Sequence, residues 1–74
     1  MSYGLPKAAH VTIQIYDISG RLVRTLVDRS MSAGYHQETW DGRNSHGQLV
    51  SSGLYFCKMK AADYQKTIKL LFAK

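Results

Sequence analysis

Trp40-Asp41-Gly42-Arg43-Asn44-Ser45-His46-Gly47-Gln48-Leu49-Val50-Ser51-Ser52-Gly53-Leu54-Tyr55-Phe56 decides how the rest of this chain is read. It leaves one apolar run, crosses a stretch rich in Gly, Asn, Asp and Ser, and enters a second apolar run. Gly42, Gly47 and Gly53 accept positive φ without a Cβ penalty, and Asp41 and Asn44 can bond their own backbone. Trp40 and Tyr55 flank the stretch, each large and each with a polar tip that needs a partner once buried. Tyr55 also stands two residues before Cys57 at the start of a late strand. That is the spacing of a tyrosine corner, in which the phenol bonds backbone a few residues upstream. Trp40, Asp41, Gly42, Gly47, Gly53 and Tyr55 are therefore expected to form a structural corner.

Working outward, Val11, Ile13 and Ile15 alternate with Thr12, Gln14 and Tyr16, the period of a half-buried strand. Before it, residues 3–9 suggest an edge strand ending at Pro6, which cannot donate to a ladder. Asp17 to Gly20 has the Asp-first, Gly-last pattern of a type I turn. Arg21 to Val27 returns with imperfect alternation, which predicts a bulge near Arg24-Thr25. Asp28 to Gly34 reads as a loop and Tyr35 to Trp40 as a strand. By parity with Trp40, that strand would carry Glu38 to the rim or to a basic partner. Beyond the corner, Tyr55, Cys57 and Met59 face inward from Leu54 to Lys60. Ala61 to Asp63 then turns into Tyr64 to Phe72, where Ile68, Leu70 and Phe72 share a face. Six to seven short strands without a helical period predict an all-β fold. The architecture expected is a small antiparallel β-sandwich of immunoglobulin or fibronectin III type.

Seventy-four residues make one small domain, and the 45% hydrophobic content is enough for a packed core rather than a disordered tail. One cysteine leaves no internal disulfide, so packing must hold the fold. No apolar run approaches the length of a membrane helix, and no signal-peptide pattern opens the chain.

Candidate chemistry is sparse. His10, His36 and His46 lie on separate segments without zinc-ligand spacing, and Asp41, Asn44 and Ser45 do not follow the calcium-loop series. No nucleophile elbow or paired carboxylates occur. Cys57 reads as a core residue. The expectation is a non-enzyme with no cofactor and no metal. Lys58, Lys60, Lys66, Lys69 and Lys74 crowd the last hairpin, a positive ridge beside Tyr64 and Phe56. They read either as contacts for an anionic partner or as edge-strand charges that deter aggregation. With Leu71 they form the candidate partner-contact set. No nucleic-acid-binding motif accompanies them, so no nucleic acid is expected as partner.

The sequence resembles the immunoglobulin-like domain of the flagellar hook-capping protein FlgD, and is similar to the C-terminal sorting domains of type IX secretion cargo. The resemblance is carried by Leu5-Pro6, the run from Val11 to Asp17, and Gly20 to Leu26. Ala33 to His36, Trp40 to Asn44, Gly47, Ser52 to Tyr55 and the lysine-bearing last strand complete it. The Trp40-Asp41-Gly42 corner is nearer to the hook-capping type. What the resemblance implies is a non-catalytic C-terminal sorting and anchoring module of an exported bacterial protein, recognised by the type IX machinery. Its partners would be secretion or surface-assembly proteins, with a parent cargo domain on the N-terminal side and self-association open. Residues 1–74 would be one C-terminal domain, with Met1-Ser2 an artificial start. The location implied is secreted or cell-surface in a Gram-negative bacterium, by way of the periplasm. The alternatives are a hook-capping-like assembly domain and an accessory domain binding an anionic polymer or glycan.

Overall fold

The computed structural model describes residues 1–73. Six strands follow in order: β1 (Ser2–Leu5), β2 (Ala9–Asp17), β3 (Leu22–Met31), β4 (Gly34–Gln37), β5 (Gly53–Ala61) and β6 (Tyr64–Phe72). They form two antiparallel sheets, a pair β1-β4 and a four-stranded sheet β3-β2-β5-β6. The fold is the all-β, two-layer arrangement that the alternation implies.

β2 organises the larger sheet because Val11, Ile13 and Ile15 all have zero exposure. Burying side chains of this kind contributes about 1.5–3 kcal/mol each. Their neighbours across the ladder are Ala61, Met59 and Cys57 of β5, all buried, with Val27 of β3 and Leu5 of β1 closing the core. The β2–β3 turn is held by the Asp17 carboxylate. Its Oδ1 accepts from the Ser19 amide at 2.9 Å, the Ser19 hydroxyl at 2.6 Å and the Arg21 amide at 3.0 Å. The Ser19 hydroxyl above all, then the backbone amides, hold the Asp17 pKa below its ordinary value.

The register against β2 shifts twice, between Ile13 and Gln14 and between Ile15 and Tyr16. Leu26 and Val23 are the unpaired extras, one on each side of the expected Arg24-Thr25 position, and both pack against the core. Two bulges thus explain why Leu22, Val23, Leu26 and Val27 do not alternate.

Two boundaries differ from the sequence expectation. Asp28 to Met31 is strand rather than loop, because Asp28, Arg29 and Ser30 pair with Thr12, Val11 and His10. Polar side chains are tolerated there since β3 is a sheet edge open to water. Conversely, β4 stops at Gln37, and Trp40 lies in the connection after it. Among the described residues β4 pairs only with β1, which is four residues long and so limits the ladder. Glu38 is still tied down: its amide donates to the Met1 carbonyl at 2.8 Å, and a carboxylate oxygen lies 3.8 Å from Arg29.

Candidate functional site

The connection from Glu38 to Ser52 is a bonded corner rather than a slack loop. The Trp40 indole packs edge-on to Tyr55 at 5.2 Å and against Phe72 at 5.5 Å between ring centroids. Its Nε1 donates to the Arg43 carbonyl at 3.0 Å. The Tyr55 hydroxyl donates to the Ser51 carbonyl at 2.7 Å, four residues upstream. Asp41 Oδ1 accepts from the Arg43 amide and from Arg24 Nη1, both at 3.1 Å, and so ties the corner to β3. Asn44 Oδ1 accepts from the amides of His46 at 2.9 Å and Gln48 at 3.1 Å. These side-chain oxygens are engaged in shaping the turn.

Gly42 is the one position here where a side chain is sterically barred. Its φ is +77°, and a Cβ would run into the Phe72 ring. The Val50 amide donates to the Gly42 carbonyl at 2.9 Å, closing the corner on itself. Gly47 ends the tight turn begun by Asn44, to whose carbonyl its amide donates at 3.0 Å. Gly53 opens β5 opposite Phe72.

The basic hairpin is split by the register. Directly opposed residues share a face of a sheet. Lys58 lies opposite Thr67, Lys60 opposite Gln65 and Lys69 opposite Phe56, all on the outer face. Lys66 lies opposite Met59 and Tyr64 opposite Ala61, both inner-face positions. A single ridge running beside both Tyr64 and Phe56 is therefore corrected to three outer lysines plus Lys66 on the other side. Leu71 opposes Leu54 on the outer face and is 84% exposed. Lys74 falls outside the described residues.

The three histidines are also separated. His10 Nε2 contacts Asp28 Oδ1 at 2.7 Å, and His36 Nε2 bonds the Ser32 carbonyl at 2.8 Å while its ring leans on Tyr3. His46 sits in the corner turn. Cys57 is buried, and burial pushes its thiol pKa up, the reverse of a reactive thiol. Sequence reasoning missed an apolar end to the outer face. Leu22, Tyr16 and Phe56 form one cross-strand row there, beside Ile18, which is 74% exposed. The parity of β2 and β5 already pointed Tyr16 and Phe56 outward, and that signal could have found it.

Residues 1–65 match the FlgD Ig-like domain family. The chain belongs to that family. Among characterised proteins it is 41% identical over 56 residues to the basal-body rod modification protein FlgD of Salmonella typhimurium (strain LT2) and to that of Salmonella typhi. Against the same protein of Escherichia coli (strain K12) it is 36% identical over 56 residues. Each alignment covers 76% of this chain but only 24% of the relative, so the chain spans about a quarter of those proteins' length. The FlgD Ig-like match includes the whole Trp40-to-Phe56 corner, β5 and the start of β6. It bears out the hook-capping half of the resemblance and not the type IX sorting half.

Proposed function

We propose that this chain is a non-catalytic assembly module of the hook-capping type, acting by protein–protein contact within an exported structure outside the cytoplasm. Membership of the FlgD Ig-like family carries the reading, since the fold alone would serve many functions. The geometry supports it in kind. The corner's polar groups bond its own backbone and Arg24 of β3, while the outer face of the larger sheet offers Lys58, Lys60 and Lys69 beside Leu71 and Phe56. An exposed face that mixes cationic and apolar side chains suits a protein partner better than a reaction centre. Residues 1–74 act as one domain in this reading, and the sorting role at a type IX secretion machine stands behind it because the family matched is that of FlgD.

Sedimentation with polymerised flagellar hook subunits tests the proposal. The folded domain is expected to co-pellet with the polymer in a saturable manner at concentrations up to about 100 µM, the range of transient assembly contacts. A domain that circular dichroism shows to be folded, yet that stays in the supernatant throughout, would overturn it.

A further inference from the structure

The two sheets are unequal, and the inequality leaves an opening. Four strands form one layer and two the other, whereas a sandwich of this type ordinarily has seven strands in all. β4 and β1 cover the inner face of the larger sheet only part of the way towards β6. Between β1 and the last hairpin runs an open groove of about 710 Å³. Tyr64, Lys66 and Ile68 of β6 line its accessible floor, with Met59 and Ala61 of β5 almost fully buried beneath, and β1 forms one wall along its whole length.

That wall is a strand edge. β1 is paired with β4 on one side, and among the described residues no strand lies on the other. An unpaired row of amides and carbonyls beside an apolar floor is the acceptor site for an added strand: main-chain bonds hold it, and every second side chain enters the floor. The charged groups on the groove are Lys7 and Lys66 against Asp63, an excess of positive charge. Lys66 stands on β6 facing this side and not the outer face.

We propose that the groove takes a seventh strand from a partner polypeptide. The strand would be an extended segment with apolar side chains at alternate positions and a carboxylate opposite Lys66. It pairs with the free edge of β1, Ser2–Leu5, and completes the smaller sheet. The inference rests on the assembly-module reading and supplies its mode of contact. A four-residue edge sets the length of the pairing at about 13 Å, so the segment needs only four to six residues in register.

The test is a titration of the 74-residue chain followed by amide and methyl NMR. The probe is the synthetic hexapeptide acetyl-Val-Thr-Glu-Thr-Val-Thr-amide, in which both valines and the glutamate share the face turned to the floor and to Lys66. Saturable shifts are expected at the amides of Ser2 to Leu5 and at the Met59 and Ile68 methyls. N-methylation of alternate probe amides keeps every side chain but removes the strand-pairing donors, and it should abolish those shifts. Lys66→Glu, an exposed and fold-neutral change, should weaken the probe about two- to fivefold, as expected of an exposed ion pair. The same variant should favour a probe with lysine in place of glutamate. No shifts at millimolar probe would overturn the proposal, as would undiminished binding of the N-methylated probe or shifts confined to Lys58, Lys60 and Lys69. Groove shifts that grow with protein concentration alone would overturn it in favour of a second copy of this chain. Co-pelleting with hook polymer is read separately, so the groove can fail while the module reading stands, and the reverse.

Discussion

Replacing Gly42 with alanine should damage this domain more than any other single-methyl change in its turns. Two effects combine there. The left-handed backbone, φ +77°, costs a non-glycine residue roughly 1–2 kcal/mol. The new Cβ would also press on the Phe72 ring, which itself packs on Trp40. Overpacking of that kind costs about 1–3 kcal/mol. Together the loss is about 2–5 kcal/mol, against a total of roughly 4–11 kcal/mol for a chain of this length. Equilibrium urea unfolding, followed by tryptophan fluorescence, measures it directly. In a thermal scan each kcal/mol should appear as a fall of roughly 6 °C in Tm. Gly20→Ala supplies the control. Its φ is +85°, but nothing lies within 4 Å of the added methyl, so only the backbone cost of about 1–2 kcal/mol should appear. Relieving the collision with Phe72→Leu should make the double variant less costly than the sum of the two single changes. If Gly42→Ala lowers stability no more than Gly20→Ala, the packing account of the corner is wrong.

Tyr55→Phe removes the bond to the Ser51 carbonyl and should cost about 1–1.5 kcal/mol in urea unfolding, with the ring packing intact. Ala62 sits at φ +52° in the turn between β5 and β6. A first central residue with positive φ is the place where such hairpins favour glycine, so Ala62→Gly should stabilise by up to about 1 kcal/mol, read as a rise in the urea midpoint. Asp17, whose carboxyl is held below its ordinary pKa, contributes stability that is fully present above the unfolded value of about 3.9. That contribution is lost as pH falls through the lower folded value. Asp17→Asn should flatten this acid loss in unfolding curves taken at successive pH values. Cys57, buried and with its pKa raised by that burial, should react with a thiol reagent at pH 8 at least about tenfold more slowly in the folded chain than in urea.

Much of this architecture can be read from periodicity alone. The alternation of Val11, Ile13 and Ile15 fixes the buried face of β2, and the parity of Tyr55, Cys57 and Met59 fixes that of β5. Both patterns are local, and the core follows from them. What periodicity does not carry is pairing. Asp28 to Ser30 look like loop because their side chains are polar, yet their backbone is ordered by Thr12, Val11 and His10 across the sheet. The lysines of the last hairpin look like one group in the sequence, but Lys66 faces away from Lys58, Lys60 and Lys69 once the register is known. The groove is hidden for the same reason: no local signal says that two strands must cover four.

The paired bulges of β3 govern how that strand can change its length. Each extra residue reverses the sense in which later side chains point, and the second reversal undoes the first. Arg24 therefore turns toward Asp41 while Leu22 still lies in the outer row with Tyr16. Deleting Leu26 alone would set Thr25 directly beside Val27 and still opposite Gln14, so Arg24 would keep facing the corner and Leu22 the outer row. Only the packing of Leu26 on the core would be lost. The same holds for Val23, and the two extras act as spare residues that a shortening can use up without re-aiming the chain beyond. Length variation in this strand should accordingly gather at these two positions, one residue at each.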